Sequence, residues 1–380
     1  MKRTAALLAL SIVLAGTPAA AQTDDSPAVT ALGAVLFDPA ADRVLWGRRE
    51  AVGIPMASTT KIMTALLAIE AGTLDDTVVT SRRAARMGGA GLGLTVGRRV
   101  PMRSLLAGLI LRSGNDAATA VAEHVAGTEE AFVARMNARA AELGLRDTHF
   151  LNASGLTEDR RHRASPVDLA RLADAAMAHP EFARWAGARR LAVPELGAME
   201  NRNELIGRYR GATGVKTGHL AHAGYALVAS AARDGLTLYA VVLGSDDSFD
   251  DAARLFDWGF ARYRQASAAG TNAAVTVYRW ADAAVALTAA APVAGAVRRD
   301  ATVRRLVRLT PDAPLPVAAG TRLGELLLVE DGMVVSSAPL RAAGPVAASA
   351  AAAEPDAAAG RAVQDALRQF VRLRAVSAAA

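Results

Sequence analysis

Hydrophobic residues recur along the chain with a helical period in some stretches and as strand-like runs in others. Positions 62–69 are almost entirely apolar and are followed by Gly72, which predicts a buried helix with a glycine stop. The runs 225–232 and 236–243 flank the turn 233–235 and predict an antiparallel hairpin. A second hairpin is predicted from the runs 31–37 and 43–46, and further helices over 102–111, 117–125, 132–143, 168–179 and 250–263.

The pattern changes beyond Gly270 to short strand-like runs, with a turn at Asp331-Gly332. We therefore expect a helix-and-strand domain over 29–263 and a small β-rich domain over 271–344, the latter with strands over 274–278, 284–287, 303–309 and 323–329. An alanine-rich linker follows over 345–360, and 361–380 is basic and amphipathic. Such a tail can contact an anionic membrane, and a solvated tail is an equal alternative.

The first 21 residues have the layout of a secretory signal peptide. Lys2 and Arg3 precede an apolar run over 5–16, and small residues over 18–21 precede a cut after Ala21. The apolar run is shorter than the roughly 20 residues that span a bilayer. We therefore expect export, with an uncleaved anchor as the alternative; the chain has no cysteine, so export adds no disulfides.

Composition narrows the classes of function. The net charge of +6 over 380 residues is too small and too scattered to indicate nucleic-acid binding. The histidines show no metal-ligand spacing, so neither a metal nor another cofactor is implied. Of 43 basic residues only Lys2, Lys61 and Lys216 are lysines. Because lysine can lose its proton and arginine cannot, this scarcity indicates that Lys61 and Lys216 are needed as amines.

Ser58 and Lys61 form an S-x-x-K motif where the helix over 62–69 begins. A spacing of three residues on a helix brings the hydroxyl and the amine onto one face. A serine alcohol is a weak nucleophile, and a neutral lysine in a dry pocket can accept its proton. The motif is common by chance, and a helix start with a solvated lysine is the alternative interpretation.

Two further motifs follow in the chain. Ser113-Gly114-Asn115 breaks the helical pattern between 102–111 and 117–125, and Lys216-Thr217-Gly218 lies on or beside a strand that precedes the predicted hairpin. Alone, the first fits an ordinary helix connection. S-x-x-K, S-G-N and K-T-G, in this order and in these contexts, form the pattern of penicillin-binding proteins and serine β-lactamases.

The chain resembles the low-molecular-mass penicillin-binding proteins of the penicillin-binding protein 5 and 6 type, which are D-alanyl-D-alanine carboxypeptidases. The resemblance covers nearly the whole chain and includes 58–64, 113–116, 201–203, 214–219 and 257–260. It implies an α/β (α+β) fold: a transpeptidase-like catalytic domain with an antiparallel sheet flanked by helices, and a small all-β C-terminal domain. It also implies location in the periplasm or on the outer face of the cytoplasmic membrane.

The resemblance implies a role for each motif residue. Ser58 would be the nucleophile that forms an acyl-enzyme and Lys61 its general base. Ser113 would relay a proton to the leaving amine, and Asn115 would hold the substrate amide. The oxyanion hole would be the backbone N–H groups of Ser58 and His219.

Other residues would bind the terminal carboxylate of the substrate. Lys216 supplies positive charge, Thr217 supplies a hydroxyl, and Gly218 permits close approach of the backbone. Arg202 matches an arginine near the cleft, and Asp168 matches an aspartate that opens a helix. Both are supporting candidates, with a purely structural ion pair as the alternative.

The implied substrates are peptidoglycan stem peptides that end in D-Ala-D-Ala, and β-lactams would acylate the same serine. The implied roles are peptidoglycan maturation and maintenance of cell shape. One alternative is a class A-like β-lactamase, which needs a glutamate in an E-x-x-x-N loop; here Glu158 is followed four residues later by His162. The other is a non-catalytic penicillin-binding sensor or wall-binding module.

Overall fold

A computed structural model of the chain describes residues 26–193, 195–269, 274–280, 283–309 and 316–345. The predicted signal peptide, the predicted tail and the linker beyond Pro345 lie outside these residues. Within these ranges, no helix is both long enough and apolar enough to cross a membrane.

Helices and strands alternate through the first two thirds of the described chain, and strands alone follow. The helices are α1 (Lys61–Glu70), α2 (Met102–Leu111), α3 (Asn115–Ala126), α4 (Glu129–Glu142), α5 (Pro166–Met177), α6 (Pro180–Gly187) and α7 (Ser248–Arg262). The strands are β1 (Gly33–Asp38), β2 (Arg43–Arg48), β3 (Ile54–Pro55), β4 (Thr77–Val79), β5 (Arg99–Pro101), β6 (Arg163–Ala164), β7 (Arg190–Val193), β8 (Gly197–Glu200), β9 (Ala212–Leu220), β10 (Gly224–Arg233), β11 (Leu236–Ser245), β12 (Tyr263–Ala269), β13 (Ala274–Trp280), β14 (Ala283–Ala289), β15 (Val293–Arg298), β16 (Val303–Leu309), β17 (Arg322–Glu330) and β18 (Met333–Ala342).

A five-stranded antiparallel sheet separates two hydrophobic layers, with the strand order β2-β1-β11-β10-β9. Successive residues of a strand point to opposite faces. Val228 and Val241 therefore join the core shared with the helices α1 to α6, whereas Leu227 and Val242 pack with Phe256 of α7. Both predicted hairpins are confirmed, as β1 with β2 and as β10 with β11.

Helix α1 is the centre of the helical layer and contacts α2, α3, α4 and α5. Residues 61–66 are buried on all sides, as the continuous apolar run predicts. The stop is also as predicted: Gly72 has φ +72° and donates its N–H to the carbonyl of Ile69 at 3.0 Å. The S-x-x-K motif therefore lies at the buried start of a helix that packs against four others.

The ends of two predicted helices are wrong. The helix predicted over 168–179 is α5, which begins earlier, at Pro166, and ends earlier, at Met177; Pro180 cannot continue it and begins α6. The helix predicted over 250–263 begins at Ser248, since the carboxylate of Asp247 caps it by accepting the N–H groups of Phe249 and Asp250. It ends at Arg262, and Tyr263 begins β12.

Beyond α7 the described chain is all β, as the resemblance implies. One sheet has the order β13-β14-β18-β17-β16, and β12 pairs with β15. The strand-like runs did not reveal β12, β15 or β18. This region contacts the first hairpin: Asp38 accepts the N–H of Ala296 at 2.6 Å, and Arg43 lies 3.1 Å from buried Glu330. The division into domains at 263 and 271 stays a prediction.

Candidate active site

Ser58 and Lys61 meet where a short 3-10 turn, Ala57–Thr60, leads into α1. The Nζ atom of Lys61 lies 2.8 Å from Ser58 Oγ, 2.7 Å from Asn115 Oδ1 and 2.6 Å from the carbonyl oxygen of Ser154. The predicted pairing of hydroxyl and amine is therefore present in the structure. The solvated-lysine alternative is wrong, because Lys61 is fully buried.

The surroundings of Lys61 favour its neutral form. Burial lowers its pKa well below the ordinary value, and the positive charges of Lys216 and Arg202 lower it further, whereas Asp116 opposes the shift. A neutral amine has two N–H groups and one lone pair. The carbonyl oxygens of Asn115 and Ser154 can accept the two N–H groups, which leaves the lone pair for the hydroxyl proton of Ser58.

Glycine is required where the loop 151–162 passes the turn that carries Ser58. Gly155 has φ +81°, and a Cβ atom there would lie 1.9 Å from the carbonyl oxygen of Ala57. Ala57 itself has φ +50°. The loop and the turn are therefore packed backbone against backbone, which places the Ser154 carbonyl against Lys61.

Gly155→Ala should destabilise the protein more than Gly127→Ala does. Gly127 has the same φ of +81° but nothing within 4 Å of its Cβ position. Gly127→Ala should lower the free energy of unfolding by about 1 kcal/mol from backbone strain. The overlap with Ala57 should add about 1–3 kcal/mol at position 155. Chemical denaturation of both variants measures the difference, and equal losses would show that the packing of 155 against 57 is not tight.

The S-G-N motif is the connection between α2 and α3. Ser113 is buried and has φ +63°, and Asn115 is the first residue of α3. The side chain of Asn115 donates from Nδ2 to the carbonyl of Gly88 at 2.8 Å while its Oδ1 is held by Lys61. Asp116 accepts the N–H of Leu92 at 2.8 Å, so the glycine-rich stretch 81–97 is tied to this connection.

The K-T-G motif lies on β9, the strand at the edge of the sheet. Lys216 is fully buried; its Nζ donates to the carbonyl of Thr217 at 2.8 Å. Burial, followed by the charge of Arg202, lowers the pKa of Lys216 to about 7. A Cβ atom at Gly218 would lie 3.1 Å from the backbone nitrogen of Ser58, so glycine lets the strand approach the nucleophile.

A cavity of about 370 Å³ lies between the three motifs. Its lining includes these predicted residues: Ser58, Ser113, Asn115, Arg202, Thr217, Gly218 and His219. Lys61 and Lys216 lie beneath the lining and reach it through Ser58 and Thr217. In the described part of the chain, no Asp or Glu side chain lines this cavity.

Asp168 is not brought to the cavity. Its carboxylate accepts the N–H of Asp147 at 2.8 Å and the hydroxyl of Thr148 at 2.9 Å, and it lies in the first turn of α5 after the N-cap Ser165. The contacts described for it are hydrogen bonds and not the ion pair that was the alternative. Asp168 therefore joins α5 to the segment that follows α4.

The motifs did not reveal several residues of the site. Ser154 contributes through its carbonyl, which no sequence pattern specifies, and His162 lies behind the turn. The additional lining residues are Gly89, Ala90, Gly155, Leu156, Leu220, Tyr225, Ala226, Ser248 and Phe249. Tyr225 of β10 pairs with His219 of the neighbouring strand β9, and their rings lie 4.6 Å apart. A predicted pairing of these two strands could therefore have indicated Tyr225.

His162 is buried and makes two hydrogen bonds. Its Nδ1 accepts the N–H of Leu151 at 2.9 Å, and its Nε2 lies 2.7 Å from the hydroxyl of Thr60. Burial, with smaller contributions from His149 and Lys61, lowers the pKa of His162 to about 4. The imidazole is therefore neutral at pH 7, and as the pH falls below 6.5 it excludes a proton that the unfolded chain binds.

His162 should make the protein less stable in mild acid. Because the pKa of His162 is lowered from 6.5 to about 4, its contribution is complete above pH 6.5 and is lost as the pH falls toward 4. A shift of this size corresponds to about 3 kcal/mol. Denaturation at pH 7 and at pH 4.5, compared with His162→Asn, isolates this contribution. An identical pH dependence in the variant would contradict it.

Comparison with known proteins decides the family. A family model described as D-alanyl-D-alanine carboxypeptidase, Peptidase_S11, matches residues 20–247, which is more than half of the chain. The chain belongs to this D-alanyl-D-alanine carboxypeptidase family. The predicted family and enzyme class, a serine-type carboxypeptidase among the low-molecular-mass penicillin-binding proteins, are thereby confirmed.

Individual carboxypeptidases match over long stretches. The chain is 32% identical over 366 residues to D-alanyl-D-alanine carboxypeptidase DacF of Bacillus subtilis, with 90% of this chain and 94% of DacF covered. It is 39% identical over 253 residues to DacB2 of Mycobacterium tuberculosis, with 64% and 86% covered. Penicillin-binding protein 5 from Haemophilus influenzae has a similar structure, with a TM-score of 0.75, 27% identity and coverage of 85% and 99%. The predicted fold class is confirmed.

Proposed function

We propose that this carboxypeptidase removes the terminal D-alanine from peptidoglycan stem peptides through an acyl-enzyme on Ser58. The observation that carries the proposal is the fully buried Lys61 amine, 2.8 Å from the Ser58 hydroxyl and opposite the K-T-G strand. The fold alone would not assign the reaction, because one fold supports several activities.

The first half of the reaction forms the ester. Lys61 Nζ takes the hydroxyl proton as Ser58 Oγ attacks the carbonyl carbon of the scissile bond between the two D-alanines. The backbone N–H groups of Ser58 and His219 stabilise the resulting oxyanion, and Gly218 lets the two segments come together. Loss of one such donor typically costs roughly 10²–10³ in rate.

The second half releases the products. Ser113, on the rigid connection between α2 and α3, passes the proton to the leaving amine as the C–N bond breaks and D-alanine departs. Water then attacks the ester carbonyl and gives a proton to Lys61 Nζ, which passes it to Ser58 Oγ as the ester C–O bond breaks. The shortened peptide leaves as a carboxylic acid, which loses its remaining proton to solvent. Because the Asn115 side chain is held between Lys61 and the Gly88 carbonyl, it orients the Lys61 amine. Its contact with the substrate amide stays a prediction.

Positive charge beside the cavity suits a terminal carboxylate. Arg202 lines the cavity, and buried Lys216 lies below Thr217, whose hydroxyl can bind the same carboxylate. Since the pKa of Lys216 is about 7, its charge declines as the pH rises through neutrality. Arg202 keeps its charge throughout.

Release of D-alanine tests the proposed function. Purified protein is incubated with a pentapeptide that ends in D-Ala-D-Ala, and free D-alanine is assayed. We expect D-alanine together with labelling by a fluorescent penicillin. Labelling without D-alanine would support the non-catalytic sensor instead. Rapid hydrolysis of penicillin would support the β-lactamase, although no carboxylate of the described residues lines the cavity to activate a water.

Export and membrane contact are proposed from sequence alone. We propose that the chain is cut after Ala21 and acts in the periplasm or on the outer face of the cytoplasmic membrane. We also propose that 361–380 contacts that membrane. Fractionation of cells that express the chain with and without 361–380 tests the contact, and an unchanged distribution would remove it.

A further inference from the structure

The Lys61 amine is held from two sides by separate segments of the chain. The turn Ala57–Thr60 carries Ser58, and the loop 151–162 supplies the Ser154 carbonyl that accepts from Lys61 at 2.6 Å. A shift of either segment would change the contact between Nζ and Ser58 Oγ. Whatever joins the two segments therefore controls the geometry of the nucleophile and its base.

One side chain joins them, and its hydrogen bonds fix its tautomer. The N–H of Leu151 donates to His162 Nδ1 at 2.9 Å, so in the neutral ring the proton is on Nε2. Nε2 can then donate to Thr60 Oγ1 at 2.7 Å, and the Thr60 hydroxyl donates to the Ala57 carbonyl at 2.7 Å. This series of three hydrogen bonds runs from the loop 151–162 to Ala57, the residue that precedes Ser58.

The backbone around His162 is anchored to the same part of the molecule. Arg163, the next residue, pairs with Pro55 in the short sheet of β3 and β6 just before the turn, and it forms an isolated bridge with His149. The ring of Phe150 packs edge-on against the imidazole at 6.1 Å. His162 is 2% exposed, so its position is set by packing as well as by hydrogen bonds.

We propose that neutral His162 is a positioning residue for acylation, because it joins the loop that holds the Lys61 amine to the turn that carries Ser58. The proposal rests on the roles of Ser58 and Lys61 given above. It assigns a use to a buried imidazole that takes no part in the proton transfers. The charged and titratable groups that act on it are His149, Asp159 and Lys61.

Thr60 offers the cleanest test, because one hydroxyl can be removed or kept. Thr60→Val has nearly the same shape but cannot accept from His162 or donate to Ala57, whereas Thr60→Ser keeps the hydroxyl. Stopped-flow labelling by a fluorescent penicillin gives the acylation rate constant and the dissociation constant of the initial complex separately. All measurements are made well below the thermal midpoint of each variant.

We expect Thr60→Val to lower the acylation rate constant by roughly 10–100-fold, as for small misplacements of reacting groups. The dissociation constant of the initial complex should be unchanged, and Thr60→Ser should be within about threefold of the original protein. His162→Asn should lower the same acylation rate constant. The double variant Thr60→Val/His162→Asn should have a rate constant no lower than that of the more impaired single variant, because each single change already breaks the same series of hydrogen bonds. His179→Gln, at the start of α6, is the matched histidine control.

The outcomes separate this inference from the proposed function. If Thr60→Val is acylated at the original rate, or weakens only the initial complex, the series is structural and the inference is overturned. If the two single losses multiply in the double variant, the residues do not act as one series, which also overturns it. If the original protein is not acylated at all, the roles of Ser58 and Lys61 fail first. Should His162→Asn not fold, Thr60→Val tests the same hydrogen bond.

Discussion

Ser58→Ala is expected to abolish both labelling by penicillin and release of D-alanine. Among the described residues, Ser58 has the only hydroxyl that hydrogen-bonds to the Lys61 amine, at 2.8 Å. The variant removes this hydroxyl, and alanine fits the same turn. Without a nucleophile no ester forms, and we expect the rate of D-alanine release to fall by at least about 10⁴-fold. Initial, non-covalent binding of penicillin should persist, because Arg202 and Thr217 still line the cavity.

A matched control is available for this variant. Ser104 is another buried serine; its hydroxyl donates to Glu195 at 2.6 Å, and it does not line the cavity. Ser104→Ala should be labelled by penicillin at the original rate. Stable labelling of Ser58→Ala would mean that a different hydroxyl, with Ser113 as the first candidate, is the nucleophile.

Lys61→Arg is expected to prevent acylation although it keeps the positive charge. A guanidinium does not lose its proton in a protein, so it cannot accept the proton of Ser58. Burial and two neighbouring cations lower the pKa of Lys61, and these conditions favour a neutral amine and disfavour a permanent charge. The acylation rate should fall by roughly 10²–10⁴-fold, the usual contribution of a general base.

Lys61→Ala separates charge from basicity in the same assay. If the amine is the base, the arginine and alanine variants should be about equally inactive, since neither can take the proton. Circular dichroism and the thermal midpoint would verify that both variants are folded. Acylation of Lys61→Arg at the original rate would exclude Lys61 as the base and leave it a purely electrostatic role.

Local spacing made the chemistry of the site predictable. Ser58 and Lys61 are three residues apart at a helix start, and the scarcity of lysine indicated that Lys61 and Lys216 were not surface residues. Both are buried in the structure. The helix break at Ser113 and the strand that carries Lys216 were also expected from the apolar pattern. The sequence thus specified which groups meet, because each motif lies within one element or at its end.

Contacts made by the backbone could not be predicted in the same way. The Ser154 carbonyl reaches Lys61 only because Gly155 lets the loop approach Ala57, and a pattern of side chains does not encode that approach. His162 had no motif, and its partner Thr60 is 102 residues away. Asp168 matched a family position, but its carboxylate holds the segment at Asp147 and not the cavity. Long-range packing decided all three placements.

Mapping of the covalent adduct tests the central claim most directly. Cleavage after lysine and arginine places Ser58 in the peptide 50–61 and Ser113 in the peptide 113–135. The protein is labelled with penicillin, digested, and analysed by mass spectrometry with fragmentation. The account predicts one adduct, in the peptide 50–61 and on Ser58. An adduct in the peptide 113–135, or release of D-alanine with no adduct on Ser58, would contradict it.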